Sequence, residues 1–238
     1  MGVDSQSEAG ARPKAWFAWS SGKDSAWALH VARQSGEFDV VALLTTVNQT
    51  YSRVAMHAVR ESLLEMQAAA AGLLLIKVPI PSPCTNEIYE QAMGEAMARA
   101  RAEGVWHVVF GDLFLEDIRA YREKQLSACD MTPVFPLWER NTRELAEEMI
   151  AHGMSAYLTC VDPRKLDRSF AGRKFNAELL NVLPSDVDPC GENGEFHTFA
   201  NDGPMFKHAI SVTAGEVVER DGFVFADFLP SASAAGKA

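Results

Sequence analysis

Two short segments hold the side chains whose types and spacing suit phosphate binding and acid–base chemistry. The first reads SSGKDS at residues 20–25, directly after an apolar run and directly before a helical pattern. Small residues let the backbone approach an anion closely, and the first N–H groups of a helix attract negative charge. Lys23 adds a full positive charge. The segment predicts a phosphate site, whereas capping of a helix by Asp24 or Ser25 is the structural alternative.

The second segment reads DPCGENGEFHTF at residues 188–199. Glu192, Glu195 and His197 bring three ionisable groups together, which suits general acid–base work or the binding of an ammonium ion. Nothing close in the sequence activates Cys190, so we expect an ordinary thiol there. The alternative is a glycine-rich hairpin loop without a chemical role.

The SSGKDS segment departs from two common nucleotide-binding loops. Asp24 follows Lys23 where a Walker A loop has Ser or Thr, and the chain contains no GxGxxG pattern. The segment instead resembles the PP-loop of the ATP pyrophosphatase superfamily, usually SGGxDS, whose members cleave ATP between the α- and β-phosphates. Ser21 stands where the first glycine is usual. We therefore expect no positive φ at Ser21 and assign the permissive position to Gly22.

Apolar runs alternate with helical patterns along most of the chain, which predicts an α/β fold with a doubly wound parallel sheet. The candidate strands are residues 15–19, 40–46, 73–78, 105–110 and 156–161, and the candidate helices are residues 25–34, 54–71, 86–103, 116–127 and 142–152. After these come two predicted antiparallel turns, at 214–216 and at 221–222. We divide the chain into an ATP-binding unit at 14–185, a GENGEFHT loop with a C-terminal hairpin region at 186–230, and flexible tails at 1–13 and 231–238.

Ligands of open α/β sheets bind beyond the carboxyl ends of the strands, so polar residues there are candidates for the site. Thr45 follows the second strand, and Gly111 and Asp112 follow the fourth. Asp112 is a candidate Mg²⁺ ligand, with a turn aspartate as the alternative. Arg122 is a candidate clamp for carboxylate or phosphate, or else an exposed helical residue.

The composition of the chain argues against several classes of function. The formal net charge of −10 disfavours a protein that grips nucleic acid through phosphates. The four cysteines show no CxxC pair, which argues against zinc and iron–sulfur sites. Residues 1–13 lack the apolar run of a secretory signal, and no run reaches membrane-spanning length. We expect a cytoplasmic protein with free thiols that binds neither DNA nor membrane.

Taken together, the motifs SSGKDS, LLTTVN, FGDLF, YRE, PLW and GENGEFHTF resemble, in order, those of the diphthine–ammonia ligase family. The resemblance implies a five-stranded Rossmann-like sheet and a ligase that adenylates a carboxylate, releases pyrophosphate and amidates the product with ammonia. ATP and Mg²⁺ are then expected at the site, with Asp24 and Asp112 as metal ligands. The nucleotide-binding residues are expected to be Ser20, Ser21, Gly22, Lys23, Asp24, Ser25, Thr45 and Gly111. The catalytic residues are expected to be Lys23, Asp112, Glu192, Glu195 and His197.

The substrate is the open part of the prediction. The alanine- and arginine-rich composition is similar to that of bacterial family members, and bacteria are not expected to make diphthamide. We therefore expect a different carboxylate acceptor, either a small molecule or a protein side chain, and free ammonium as the nitrogen source. The chain could form a homodimer. A non-enzymatic module that binds or senses ATP or AMP is the alternative, followed by a tRNA-modifying PP-loop enzyme.

Overall fold

The computed structural model describes residues 11–48, 53–54 and 59–231. It contains two sheets, and the predicted tails lie almost entirely outside the described residues. The strands of the first sheet are β1 (Lys14–Ala18), β2 (Asp39–Asn48), β3 (Arg53–Val54), β4 (Leu74–Ile80), β5 (Val105–Val109) and β6 (Thr132–Val134). Five of them run parallel in the order β4-β2-β1-β5-β6, and β3 pairs antiparallel with β2. The predicted five-stranded parallel α/β sheet is confirmed.

Helices cover both faces of this sheet. They are α1 (Lys23–Ser35), α2 (Glu61–Ala71), α3 (Asn86–Ala102), α4 (Glu116–Ser127) and α5 (Thr142–Ala151), whereas α6 (Ala177–Val182) lies against the second sheet. Alternate residues of a strand face opposite sides. In β1, Ala15 and Phe17 belong to a core shared with α1, α2 and α5, whereas Trp16 belongs to a core shared with α3 and α4. The sheet is therefore doubly wound.

The second sheet is antiparallel. It contains β7 (Ser155–Val161), β8 (Lys174–Phe175), β9 (Phe196–Asp202), β10 (Val212–Arg220) and β11 (Phe223–Pro230). The strand β9 pairs with one side of β7, whereas β8 and β11 pair with its other side. The buried residues of this sheet share one core with α1 and α2. The segment after the GENGEFHT loop is thereby held against the helix that follows β1.

Three sequence-based predictions about single elements were wrong. The run at 156–161 belongs to the antiparallel sheet, and the fifth parallel strand is the short β6 instead. The predicted helix at 54–71 begins only at Glu61, and Val54 lies in β3. The turn expected at 214–216 is a register shift inside the continuous strand β10, while the turn at 221–222 is confirmed.

Candidate active site

The two motifs meet where the strand order of the parallel sheet reverses. From β1 the order continues through β2 and β4 on one side and through β5 and β6 on the other. A cavity of about 240 Å³, called here the first cavity, opens at this point between the loops that follow β1 and β5. Its third wall is the GENGEFHT segment. The predicted site residues that line it are Ser20, Asp24, Ser25, Gly111, Asp112, Glu192 and His197.

The loop after β1 turns at Ser21, not at Gly22. Ser21 has φ of 71°, in the left-handed region, whereas Gly22 is extended with φ of −80° and forms the N-cap of α1. The expectation that Gly22 alone supplies the permissive conformation was therefore wrong. Ser21 is fully buried and does not line the first cavity. Its turn leaves Ser20 and the first turn of α1 on the cavity wall.

Three groups in this loop are tied to one another. The hydroxyl of Ser25 donates to the Gly22 carbonyl at 3.0 Å, and the hydroxyls of Ser20 and Ser25 lie 3.0 Å apart. The N–H of Gly22 donates to the hydroxyl of Ser20 at 3.3 Å. The N–H of Lys23 donates to the Thr198 hydroxyl at 3.0 Å, so the loop is also fixed to β9.

The Lys23 side chain is not part of the lining of the first cavity. It is 1% exposed, and its ammonium group lies 5.2 Å and 5.4 Å from the ring centres of Phe175 and Phe196. Nζ donates to both carboxylate oxygens of Asp24 at 2.9 Å and to the carbonyl oxygen of Cys190. Burial is the largest single influence and acts to lower the pKa of Lys23, but the charge and hydrogen bonds of Asp24, together with the negative charges of neighbouring groups, outweigh it and the pKa is raised. The cation thus joins the two motifs from behind the cavity wall.

Gly111 brings the loop after β5 against the start of α1. A Cβ atom at this position would lie 2.9 Å from the Cα and N atoms of Ser25, which is closer than side-chain atoms pack. Only a residue without a side chain fits here. The role of Gly111 is therefore to bring this loop and the N-terminus of α1 together, which places positive helix potential at the cavity.

Asp112 does not face the first cavity as a free carboxylate. Nε and Nη2 of Arg122, on α4, both donate to it, the latter at 3.1 Å. The Arg122 guanidinium also lies 4.4 Å from the ring centre of Phe110. From the sequence, Arg122 was a candidate for binding a carboxylate or phosphate of the ligand. The structure places Arg122 on the cavity wall, where its guanidinium group is already paired with the carboxylate of Asp112.

Glu192 has the properties of an acid–base group. It lines the first cavity, and its Oε1 accepts a hydrogen bond from the N–H of Leu113 at 2.9 Å. Burial, with the negative charge of Asp24 added, raises the pKa of Glu192 to about 7. The group therefore changes protonation near neutral pH.

Glu195 lies behind the cavity wall and is 3% exposed. Its Oε1 accepts from the N–H of Asp188 at 3.0 Å and from Nδ2 of Asn193 at 3.3 Å. Within the described part of the chain, its Oε2 is buried without a hydrogen-bond partner. These contacts fix the shape of the GENGEFHT loop.

His197 is partly buried and lines the first cavity. Burial and the charge of Lys23 lower the pKa of His197 to about 4. Its imidazole is neutral at pH 7 and offers one donor and one acceptor. Burial raises the pKa of the nearby Cys190 thiol, which leaves it protonated, as the sequence predicted for an ordinary thiol.

A second cavity of about 330 Å³ lies next to the first and shares Ala18, Ser20, Phe110 and Arg122 with it. Thr45 lines this second cavity, with its hydroxyl group donating to the carbonyl of Trp19. Sequence reasoning missed the wall that α3 supplies. Its residues are Tyr89, Met93 and Met97. Their spacing of four residues places them on one face of that helix, and this spacing could have identified them from the sequence.

The carboxylates suit a metal ion only in part. Mg²⁺ takes oxygen ligands, and it is commonly held by one or two carboxylates together with substrate phosphates. Asp24 and Asp112 line the same cavity, but Lys23 and Arg122 already pair with them. Among the described residues, no group of three acidic, histidine or cysteine side chains is arranged to hold a metal.

No helix in the described ranges is long and apolar enough to cross a membrane.

Comparison with known proteins gives a consistent result. A model of the diphthamide synthase N-terminal domain matches residues 14–131, and a model of the diphthamide synthase C-terminal domain matches residues 141–226. The chain is 28% identical to diphthine–ammonia ligase of Mus musculus over 191 residues, which cover 74% of this chain and 70% of the mouse protein. It is 28% identical to diphthine–ammonia ligase of Bos taurus over 153 residues, or 62% of this chain and 57% of the bovine protein. The chain thus spans somewhat more than half the length of the bovine relative.

Proposed function

The chain belongs to the diphthamide synthase family, and on that premise we propose that it is an ATP-dependent ligase that adenylates a carboxylate and then amidates it with ammonia. One observation carries the proposal. The loop at residues 20–25 and the GENGEFHT segment, which are far apart in sequence, line one cavity at the reversal point of a parallel sheet. One loop suits a phosphate chain, and the other brings a group that titrates near pH 7.

ATP would occupy both cavities. Its phosphates would lie in the first cavity against Ser20, Ser25 and the N-terminus of α1, where donors and helix potential favour negative charge. Its adenosine would lie in the second cavity, between Thr45 and the apolar side chains of α3. The α-phosphorus would then sit near Ser20, which both cavities share.

The reaction we propose has two steps. An oxygen of the acceptor carboxylate attacks the α-phosphorus, the bond to the bridging oxygen breaks, and pyrophosphate leaves. Ammonia then attacks the acyl carbon of the adenylate, and AMP leaves with the bonding electrons. Donors at the N-terminus of α1 stabilise the charge that develops on pyrophosphate.

Ammonium must lose a proton before its nitrogen can attack. Glu192 is placed to accept this proton, because it lines the cavity and has a pKa of about 7. His197, neutral at pH 7, would hold the acceptor or the amine by a hydrogen bond. Mg²⁺ bound with the phosphates would neutralise part of their charge, with Asp24 and Asp112 as the candidate ligands.

Lys23 and Glu195 have a different role in this proposal from the catalytic one expected from sequence. Both lie outside the cavity lining, and both hold the GENGEFHT segment in place. We propose that they are positioning residues.

A pyrophosphate-release screen tests the proposal. The purified chain is incubated with ATP, Mg²⁺, ammonium and a library of carboxylic acids, and AMP and pyrophosphate are measured. We expect steady-state release that requires both a carboxylic acid and ammonium, because the adenylate must be consumed before the next turnover, and that falls about 10²- to 10⁴-fold in Glu192→Gln. Binding of ATP without turnover for any acid would favour a nucleotide-sensing module instead. Tight, salt-sensitive binding of tRNA would favour a tRNA-modifying enzyme.

A further inference from the structure

Gln67, on α2, connects three parts of the molecule through one buried amide. The residue is fully buried. Its Nε2 donates to the carbonyl oxygen of Ser21 at 2.9 Å and to that of Ala200 at 2.7 Å. Its Oε1 accepts from the indole Nε1 of Trp19 at 2.9 Å. The loop that follows β1, which contributes Trp19 and Ser21, and the strand β9, which contributes Ala200, are therefore joined to α2 by one side chain.

The orientation of this amide follows from its partners. An indole N–H can only donate, and a backbone carbonyl can only accept. The oxygen of Gln67 must therefore face Trp19, and the nitrogen must face the two carbonyls. Each donor hydrogen has its own acceptor, so no other uncharged side chain of this length makes the same three bonds.

The carbonyl that Gln67 binds belongs to a residue with an uncommon backbone conformation. Ser21 has φ of 71°, in the left-handed region, which costs free energy in residues other than glycine. Its carbonyl also accepts from the N–H of Ala200 at 2.9 Å. Two donors thus fix the peptide group whose rotation would release the turn.

We propose that Gln67 is a positioning residue that holds Ser21 in the left-handed conformation and thereby sets the affinity of the loop for the phosphate chain of a nucleoside triphosphate. The inference rests on the proposed function. It assigns to α2 a role in phosphate binding although Gln67 lies outside the lining of both cavities.

The test compares two ligands that differ only in phosphates. Binding of ATP and of adenosine is measured by calorimetry for the wild-type chain and for Gln67→Met, which keeps the size of the side chain and removes its hydrogen bonds. We expect ATP affinity to fall about tenfold or more, because the hydrogen bonds of Gln67 that hold the loop are lost. Adenosine affinity should stay within about twofold. Gln67→Glu, which keeps the acceptor for Trp19 but loses both N–H donors, should show the same selective loss.

Two further variants separate positioning from general stability. Arg33 also joins α1 to carbonyls elsewhere, those of Ala71 at 2.9 Å and Met205 at 3.2 Å, but at the far end of α1. Arg33→Met should lower stability and leave both affinities unchanged. Ser21→Gly added to Gln67→Met should restore most of the ATP affinity, because glycine adopts positive φ without support.

The binding measurements distinguish failure of the proposed function from failure of the inference about Gln67. A wild-type chain that binds neither ligand overturns the proposed function and the inference with it. A wild-type chain that binds ATP, with Gln67 variants that lose ATP and adenosine equally, overturns the inference alone. The inference is also overturned if Ser21→Gly gives no recovery, or if both Gln67 variants fail to fold while Arg33→Met folds.

Discussion

The ammonium group of Lys23 joins the two motifs of this protein, because it donates to the carbonyl oxygen of Cys190, 167 residues further along the chain. The same group forms an ion pair with Asp24, whose carboxylate lines the first cavity. The lysine of the SSGKDS loop therefore holds the cavity wall together from behind. Its charge is satisfied before any ligand binds.

Lys23→Met should destabilise the fold. The substitution keeps the length of the side chain but leaves the Asp24 carboxylate and the Cys190 carbonyl without their buried partner. Loss of one partner of a buried pair is expected to lower the free energy of unfolding by about 3 kcal/mol. Urea denaturation measures the change.

The matched control is Lys77→Met. Lys77 also pairs with two acceptors, Glu61 and Glu65, but on the surface. Its loss should cost less than about 1 kcal/mol. Equal effects of the two substitutions would contradict the structural role of Lys23.

The rate of the proposed reaction should rise with pH through about 7, since Glu192 must be ionised to accept a proton from ammonium and has a pKa of about 7. Glu192→Gln should remove this limb of the profile and lower kcat about 10²- to 10⁴-fold. The measurement is pyrophosphate release between pH 5.5 and pH 8.5, roughly the range in which a group of this pKa titrates. Glu116→Gln, on the exposed N-terminal turn of α4, is the control. A profile that Glu192→Gln leaves unchanged would remove this residue from proton transfer.

Stability should fall as the pH is lowered from about 6.5 to about 4.5, through the range in which His197 is protonated in the unfolded chain but not in the folded one. The pKa of His197 is lower in the folded protein than in the unfolded chain. The neutral imidazole therefore stabilises the fold fully above the unfolded-state pKa, and this stabilisation is lost as the pH falls towards the folded-state pKa. The expected contribution is about 2 kcal/mol. His197→Gln should flatten this part of the stability curve, as measured by urea midpoints, and a curve of unchanged slope would contradict the assignment.

Gly111→Ala should both destabilise the protein and weaken ATP binding. The added Cβ would lie 2.9 Å from backbone atoms of Ser25, so the loop after β5 must move away from α1. Such overpacking costs about 1–3 kcal/mol. Gly94→Ala, in the middle of α3, is the matched control, because the new Cβ would have no atom within 4 Å apart from its chain neighbours and the backbone of its own helix. That substitution should stabilise by up to about 1 kcal/mol, from helix propensity. A Gly111→Ala protein as stable as the wild type would contradict the close approach.

The sequence alone indicated the motifs that form the candidate site, but it did not show which contacts hold these motifs together. The apolar runs, the SSGKDS loop and its place after β1 followed from local patterns. The strand β7 was misplaced because an apolar run buried on both faces reads the same in a parallel and in an antiparallel sheet. The strand β6 was missed because it has only three residues, one of them Pro133.

The contacts that organise the site were invisible in the sequence for a different reason. Lys23 meets Cys190, and Gln67 meets both Ser21 and Ala200, over separations that no local pattern encodes. The positive φ of Ser21 depends on such contacts, so residue type predicted the wrong position for the turn. Local chemistry thus indicates where a site lies, and tertiary contacts decide which of its residues reach the ligand.

The most direct measurement of the central claim follows oxygen from the acceptor. An acid identified by the pyrophosphate screen is labelled with oxygen-18 in its carboxylate and is turned over with ATP and ammonium. If the carboxylate attacks the α-phosphorus, one labelled oxygen appears in AMP for each amide formed, and pyrophosphate stays unlabelled. Formation of ADP with labelled phosphate, or of AMP without label, would contradict adenylation of the acceptor at this site.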